Sequence, residues 1–268
     1  MANNNGAMLT FGGHLEVLRQ MLFRILGVTG VFAIIVFCFK EITWQLLLAP
    51  SEYTFCTYQW IERVLHGLGF SQFHFDEYHV DMIATDLSSQ FMTHITTALY
   101  IGLLFASPYI MFELFHFVAP ALYDNEKKYA IPILISIYVL FILGVLMSYF
   151  VLFPISFRFL GTYSVAEKIH SNITLKSYIT TFTTLTLVMG VVFQLPVIAF
   201  LLAKLELVSS QVLNKYRKHA FLIIMIVAAV ITPPDLMTLI LVTVPLYFLY
   251  VLSIRIVKVV ERQRGRQH

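Results

Sequence analysis

Residues 108–128 read PYIMFELFHFVAPALYDNEKK and connect two apolar segments of the chain. The stretch begins in an apolar run, turns at Pro120, and ends in two acids and two lysines before apolar sequence resumes. Proline favours turns, and a short charged segment between two long apolar runs is typical of a loop at a membrane surface. This stretch therefore predicts two transmembrane helices joined by a short turn at one face of a membrane.

The composition of the whole chain agrees with this interpretation. Hydrophobic residues make up 59% of the 268 residues, charged residues make up 12%, and the mean hydropathy is +0.80. Soluble domains contain roughly 45–50% apolar and about 25% charged residues. We therefore predict an all-α integral membrane protein. Its small net charge of +3 gives no reason to expect nucleic acid as a partner.

The apolar segments are spaced along most of the chain. We predict spans at residues 22–39, 92–112, 129–150 and 179–202, each of them able to cross a hydrocarbon core of about 30 Å. The next run, 220–231, is about 18 Å long as a helix, and a TPPD turn separates it from a last run at 236–254. This pair fits either a re-entrant hairpin or two spans in a locally thin bilayer. We favour two spans because of the charge distribution.

Basic residues are concentrated on one predicted face of the membrane. Thirteen of the 18 bases fall in the segments assigned to the inside and five in those assigned to the outside. By the positive-inside rule, this distribution predicts six transmembrane helices with both termini cytoplasmic. The expected organisation is a disordered segment at 1–12, a single membrane domain at 13–258 and a basic cytoplasmic tail at 259–268.

Few residues suggest catalytic or metal chemistry. The sequence has no nucleophile-and-base constellation, no glycine-rich phosphate loop and no paired-cysteine metal signature, so we expect neither an enzyme nor a cofactor. The strongest metal candidates lie in the polar segment 40–90, namely His74, Asp76, Glu77, His79 and Asp81. Polar loops collect such residues without binding a metal, and we therefore predict no metal site.

The acids follow the predicted cytoplasmic rim rather than the membrane interior. They are Glu16, Glu113, Asp124 and Glu126. Such a rim suits a cationic ligand that continues as an apolar segment. A small-solute secondary transporter is the alternative, but it predicts inverted repeats and a mid-membrane polar site that the sequence does not display. An intramembrane enzyme predicts a catalytic pair at membrane depth, whereas Asp235 and His94 each stand alone.

Six short motifs give the chain a family resemblance. They are HLEVLR (14–19), MIATD (82–86), FVAPALYDNEKK (117–128), SYFVLFP (148–154), GVVFQLP (190–196) and TPPD (232–235). In this order and spacing the sequence resembles TatC, the core receptor subunit of the twin-arginine protein translocase. The resemblance implies a multi-pass protein of the bacterial-type cytoplasmic membrane, whose six helices form a concave bundle.

The resemblance also implies a function. A protein of this family binds signal peptides that bear paired arginines and exports folded proteins with the help of the proton-motive force. Its expected partners are TatA- and TatB-type single-span proteins and membrane lipid, in a multimeric receptor complex.

The resemblance assigns roles to individual residues. Glu126 is expected to accept the arginine pair, with Phe117 and Pro120 shaping its loop, because carboxylates can bind guanidinium groups through two hydrogen bonds and lysine cannot reproduce this geometry. The competing interpretation is that Glu126 only balances Lys127 and Lys128. Further signal-peptide contacts are expected at Glu16, Arg19 and Glu113. Structural or partner contacts are expected at Pro50, Tyr149, Pro154, Pro196, Thr232, Pro233 and Asp235.

The chain departs from the family pattern in three places, one of them in the last span at 236–239 and 249–251 and the other two at predicted site residues. Val17 stands where relatives have a glutamate, and Glu16 precedes it by one residue, or about 100° around a helix. Either Glu16 reaches the rim by a local adjustment or Glu113 supplies the second carboxylate. Gln194 is the intramembrane polar residue where relatives commonly have glutamate, so we expect no requirement for a charge at that point.

Overall fold

A computed structural model describes residues 11–69, 82–118, 130–164 and 172–264 of the chain. Its helices are α1 (Phe11–Cys38), α2 (Lys40–Leu48), α3 (Cys56–Gly67), α4 (Ser89–Val118), α5 (Ala130–Met147), α6 (Phe153–Thr162), α7 (Leu175–Val192), α8 (Leu195–Lys204), α9 (Ser210–Lys215), α10 (Arg217–Ile231) and α11 (Leu236–Arg264). A 3-10 turn covers Ala49–Ser51, and a π-helical turn covers Ser148–Leu152. Two short strands, β1 (Met82–Ile83) and β2 (Ile173–Thr174), pair in parallel.

Five helical segments of the described chain are long and apolar enough to cross a membrane. They are Leu15–Cys38, Ser89–Phe117, Ile131–Thr162, Leu175–Lys204 and Leu236–Gln263. Only 17 to 33% of the residues in their apolar windows are buried within the protein, so most of this apolar surface faces outward. Outward-facing apolar helices suit a lipid environment, in which the backbone polar groups must be satisfied within the helix itself. The predicted all-α membrane class is therefore confirmed.

The predicted fifth span corresponds to a separate shorter helix. The apolar run at 220–231 lies in α10, which has 15 residues and is about 22 Å long. The chain turns after Ile231, and the Asp235 carboxylate accepts a hydrogen bond of 2.7 Å from the Thr238 backbone N–H, which caps the start of α11. The six-span count and the placement of both termini stay predictions.

Two of the spans are built from more than one helix. In the third, α5 continues through the π-helical turn into α6, so the helical path reaches Thr162 and the predicted end at residue 150 was too early. In the fourth, the helix is interrupted at Phe193 and Gln194, and α8 starts next to Pro196. Proline fits the first turn of a helix because the amide hydrogen it lacks would have no helical partner there.

The described chain separates into two compact units. One contains α1 and residues 98–138, and the other contains residues 39–97 and 139–268. In the second unit, α5 and α7 cross closely, since a Cβ added at Gly144 would lie 2.5 Å from the carbonyl oxygen of Met189. The core of this unit is aromatic and aliphatic, and its most deeply buried side chains include Tyr58, Phe153 and Tyr178.

The polar segment after α1 is attached to the second unit through hydroxyl groups. The Tyr58 hydroxyl lies 2.9 Å from the carbonyl oxygen of Pro154 and 3.1 Å from that of Pro50. The hydroxyls of Tyr149 and Tyr178 donate to the carbonyls of Leu46 and Leu47, each at 2.7 Å. Segment 40–67 is therefore a structured cap fixed to the ends of the spans.

Candidate functional site

The most buried carboxylate among the described residues is that of Glu113, near the end of α4. Its side chain is only 9% exposed. The Tyr109 hydroxyl, one turn earlier on the same face of α4, donates a hydrogen bond of 2.6 Å to Glu113 Oε1. Arg24 of α1 places its Nη1 atom 3.5 Å from the same oxygen. A buried carboxylate is costly without such partners, so this trio forms a specific connection between α1 and α4.

The two helices can meet because small residues line their contact. A Cβ added at Gly102 of α4 would lie 2.6 Å from the backbone nitrogen of Ala33, so only glycine permits this approach. Ala106, one turn further along α4, is fully buried. The rings of Phe32 and Phe105 stack with their centroids 6.3 Å apart. This packing places α1 and α4 close enough for the Arg24–Glu113 pair to form.

The two helices run antiparallel in this unit. Ala33 of α1 lies beside Gly102 of α4, and Arg24, earlier on α1, pairs with Glu113, later on α4. The contacts therefore run backward along α1 as they run forward along α4. The first turns of α1 therefore extend past Glu113, towards the end of α4. This is the end from which the chain continues into residue 119.

Those first turns of α1 carry an accessible acid. Glu16 and Arg19 form an ion pair of 3.6 Å, and their side chains are 54% and 69% exposed. Gln20 Nε2 also donates to Glu16 Oε1, at 3.2 Å. Exposed ion pairs contribute roughly 0–1 kcal/mol, so the Glu16 carboxylate can exchange partners at little cost. Val17 is exposed as well, so the one-residue departure from the family pattern still leaves a carboxylate at the surface of α1.

The residues at the centre of the predicted rim lie outside the described residues. They are Pro120, Asp124 and Glu126. Phe117, at the end of α4, is described and half-buried. The proposed metal candidates between residues 74 and 81 also lie outside the described residues, and the described part of the chain contains no group of three or more metal-ligating side chains.

Gln194 lies at the interruption between α7 and α8. Its Nε2 donates a long hydrogen bond of 3.4 Å to the carbonyl oxygen of Gly190, one turn earlier. Gly190 itself packs against the Phe141 ring, where an added Cβ would lie 2.7 Å from a ring carbon. Pro196 follows and is buried. The Gln194 amide thus lies at a break in the helical hydrogen bonding, where the freed backbone groups need polar partners.

The remaining predicted residues take part in local architecture. Pro50 belongs to the cap, and Tyr149 and Pro154 belong to the segment that the cap contacts. The two prolines present carbonyl oxygens to Tyr58. Thr232 is buried and donates a hydrogen bond of 3.0 Å to the Ala228 carbonyl. In the turn itself, the Asp235 N–H donates to the Pro233 carbonyl at 2.7 Å.

Sequence reasoning missed the partners of Glu113. Tyr109 precedes it by four residues, which places both side chains on one face of a helix, and this spacing was an available signal. Arg24 is a base inside an otherwise apolar run, and such residues need a partner in the membrane. Which acid would meet Arg24 was not readable from the sequence, because it depends on how the two helices pack.

Known proteins resemble this chain over most of its length. The family model described as "Sec-independent protein translocase protein (TatC)" matches residues 13–245. A protein named Sec-independent protein translocase protein TatC from Blattabacterium sp. subsp. Periplaneta americana is 35% identical, over 96% of this chain and 97% of its own. A protein of the same name from Desulforapulum autotrophicum is 34% identical, over 91% of this chain and 82% of its own.

Solved structures show the same architecture. The "Crystal Structure of Twin Arginine Translocase Receptor- TatC" matches with a TM-score of 0.73 at 26% identity, covering 92% of this chain and 99% of its own. A second structure, of the same receptor in DDM, matches with a TM-score of 0.72 at 27% identity. The chain belongs to the TatC family of Sec-independent protein translocase proteins.

Proposed function

We propose that this protein is the membrane receptor for twin-arginine signal peptides and a subunit of the translocase that exports folded proteins. The observation that carries the proposal is the antiparallel α1–α4 pair joined by Arg24, Tyr109 and Glu113. This pair holds the exposed acid Glu16 at the end of the unit where α4 leads into the segment containing Glu126. The titles of the similar solved structures, which describe a twin-arginine translocase receptor, support the same role.

The proposed recognition uses the carboxylates of Glu126 and Glu16, and it gives Glu113 a structural role. Glu113 is already engaged by Arg24 and Tyr109, so its proposed contribution is to position α1 and the end of α4. Glu16 is exposed and holds only a surface ion pair, so an incoming guanidinium can displace Arg19 from it. Glu126 precedes the start of α5 by four residues, which limits its distance from Ala130 to about 14 Å. In the proposed complex, Glu126 binds one signal-peptide arginine and Glu16 assists.

The remainder of the proposal concerns the setting of the receptor. We propose that the protein lies in the cytoplasmic (inner) membrane with both termini in the cytoplasm, and that α10 and α11 form its last two spans. TatA- and TatB-type single-span proteins are its proposed partners in a multimeric complex. The proton-motive force drives transport. The protein has no catalytic activity of its own.

Binding of a fluorescent twin-arginine signal peptide to the purified full-length protein tests the receptor role. The same peptide with two lysines serves as the competitor. We expect lysine substitution to weaken binding at least about tenfold, because ammonium groups do not form the paired hydrogen bonds of guanidinium. Glu126→Gln should cause a comparable loss, and Glu16→Gln a smaller one.

A matched control removes an exposed acid from the segment that the sequence assigns to the outer side of the membrane. Glu52, after the 3-10 turn, is exposed, and its carboxylate accepts a long hydrogen bond of 3.4 Å from the neighbouring Thr54 hydroxyl. Glu52→Gln therefore changes the net charge by the same amount. This variant should bind the peptide normally. Equal affinity for both peptides, or unchanged binding by Glu126→Gln, would contradict the receptor role. Uptake of a labelled small solute by vesicles containing the protein would favour a transporter instead.

A further inference from the structure

A cavity at the ends of three helices contains an excess of positive charge. Its volume is about 670 Å³, and it lies in the second unit between α11 on one side and α9 and the start of α10 on the other. Arg217, Arg255, Lys258 and Arg262 line it together with a single acid, Glu261. The candidate signal-peptide residues described above do not line this cavity.

The α11 wall of the cavity is one continuous stripe of that helix. The lining positions 251, 254, 255, 258, 261 and 262 recur at three- and four-residue intervals, which places them on one face. Val251 and Ile254 form the part nearer the middle of the span, and the charged residues form the part nearer the helix end. From residue 251 to 262 the stripe is about 16 Å long. The cavity is therefore apolar at one end and cationic at the other.

The one acid in the cavity is already occupied. The Glu261 carboxylate accepts a hydrogen bond of 2.8 Å from the Ser210 backbone N–H and a second from the Ser210 hydroxyl. Glu261 therefore holds the start of α9 against α11, and its single negative charge leaves the four bases of the lining in excess.

The four bases lack carboxylate partners in the part of the chain that the structure describes. No ion pair within 4 Å is formed there by Arg217, Arg255, Lys258 or Arg262. The Arg217 Nε atom is buried and has no hydrogen-bond partner among the described residues. A guanidinium nitrogen that is shielded from water favours an anionic partner, because a buried donor without a hydrogen bond costs free energy.

The cavity is located near the end of a helix that is long and apolar enough to cross a membrane. The apolar helix of α11 extends to Gln263, and α8, which ends the preceding span at Lys204, packs along it. Ala203, Val257 and Val260 form a buried cluster between these two helices, beside the charged stripe. A ligand in the cavity would thus have its charged part at the membrane surface and its apolar part against the span.

We propose that this cavity binds an anionic membrane phospholipid. The phosphate group contacts Arg255, Lys258 and Arg217, and the first methylene groups of the lipid pack against Val251 and Ile254. Guanidinium and ammonium groups are the usual partners of phosphate, and clusters of them beside a span recognise anionic headgroups. The apolar end of the cavity favours a lipid over a soluble phosphate compound, which would leave that surface uncovered.

Native mass spectrometry of the full-length protein tests the proposal. The protein is equilibrated with phosphatidylglycerol, with phosphatidylcholine, or with the soluble compound glycerophosphoglycerol, which has the same headgroup without acyl chains. We expect retention of one phosphatidylglycerol molecule at concentrations where the other two are not retained. Arg255→Gln combined with Lys258→Gln should reduce this retention at least about fivefold. Asn214→Asp, which adds a negative charge to the wall, should also reduce it.

The matched control removes two charges from the same end of the molecule. Lys215 and Lys218 are exposed and do not line the cavity, so Lys215→Gln combined with Lys218→Gln should leave retention within about twofold of the unchanged protein. An equal loss in this control would show general surface attraction and overturn the proposal. Equal retention of glycerophosphoglycerol would also overturn it, because the apolar end would then contribute nothing.

Discussion

Glu113 is a buried charge whose cost is offset by two partners from different parts of the chain. Tyr109 donates to one carboxylate oxygen from the same helix, and Arg24 approaches that oxygen from α1. Arg24 is 58% exposed, so solvent screens part of the attraction. The contribution of the pair therefore lies between that of a surface ion pair and that of a fully buried one.

A double-mutant cycle measures this contribution. Arg24→Gln and Glu113→Gln should each lower the free energy of unfolding, and the double variant should lose about 1 kcal/mol less than the sum of the two. Thermal unfolding of the detergent-solubilised protein, followed by fluorescence-detected size exclusion, supplies the measurement. Strictly additive losses would show that the two side chains do not interact in the folded protein.

A second residue-scale prediction concerns Tyr58 in the cap. Its side chain is 2% exposed, and its single hydroxyl proton is shared between the carbonyl oxygens of Pro50 and Pro154. Tyr58→Phe keeps the ring but removes the hydroxyl proton. The carbonyl oxygens of Pro50 and Pro154 then lose this hydrogen-bond donor. We expect a loss of about 1–2 kcal/mol in the same unfolding assay. Tyr163→Phe, at an exposed position, is the control and should change stability by less than about 0.5 kcal/mol.

At the scale of elements, the contact between α1 and α4 depends on the absence of a side chain at residue 102. Gly102→Ala would place a methyl group 2.6 Å from the backbone nitrogen of Ala33, and backbone cannot move aside as a flexible side chain can. We expect the two helices to separate, at a cost of about 1–3 kcal/mol. The Arg24–Glu113 pair should weaken as a consequence, and the coupling in the double-mutant cycle should decrease.

A glycine on the same helix pair provides the control for this prediction. Gly30 of α1 has open space around the position of its missing Cβ. Gly30→Ala should therefore be neutral or should stabilise the helix by up to about 1 kcal/mol, because alanine has the higher helix propensity. Equal losses for both variants would show that the loss at Gly102 does not depend on its close approach to Ala33.

At the scale of the whole molecule, the open question is whether α10 and α11 each cross the membrane. α10 has only 15 residues, so a crossing requires a locally thin bilayer or flanking residues near its ends. Two crossings place the turn after Ile231 outside the cell. A re-entrant hairpin returns this turn to the inner side.

Cysteine labelling distinguishes the two arrangements. The native Cys38 and Cys56 are exposed free thiols and are first replaced by serine. In that background, Pro234→Cys should react with a membrane-impermeant maleimide in intact cells, and Asn214→Cys should react only after the cells are opened. Protection of Pro234→Cys until the membrane is permeabilised would contradict the six-span topology.

The fold and the candidate site differed in how far they could be predicted. Long apolar runs and their flanking charges predicted the membrane class and most helix positions, because these depend on local composition. The neighbouring Pro196 was a sequence signal for the helix break at Gln194. The π-helical turn at Ser148–Leu152 had no comparable signal, so the helix of the third span was predicted too short. The sequence showed which residues of the predicted rim are acids, but it did not predict how exposed their side chains are.

By itself, the sequence determined that this is an α-helical membrane protein of the TatC family, and it predicted a set of acids for a cationic ligand that stays a prediction. These properties follow from composition and from residues adjacent in the chain. Only the tertiary structure decided that Tyr58 meets Pro154, 96 positions away, or that Glu261 caps Ser210, 51 positions away. Such pairings depend on which helix faces pack together. One residue rotates a side chain by about 100°, so small differences in helix phase decide which side chains meet.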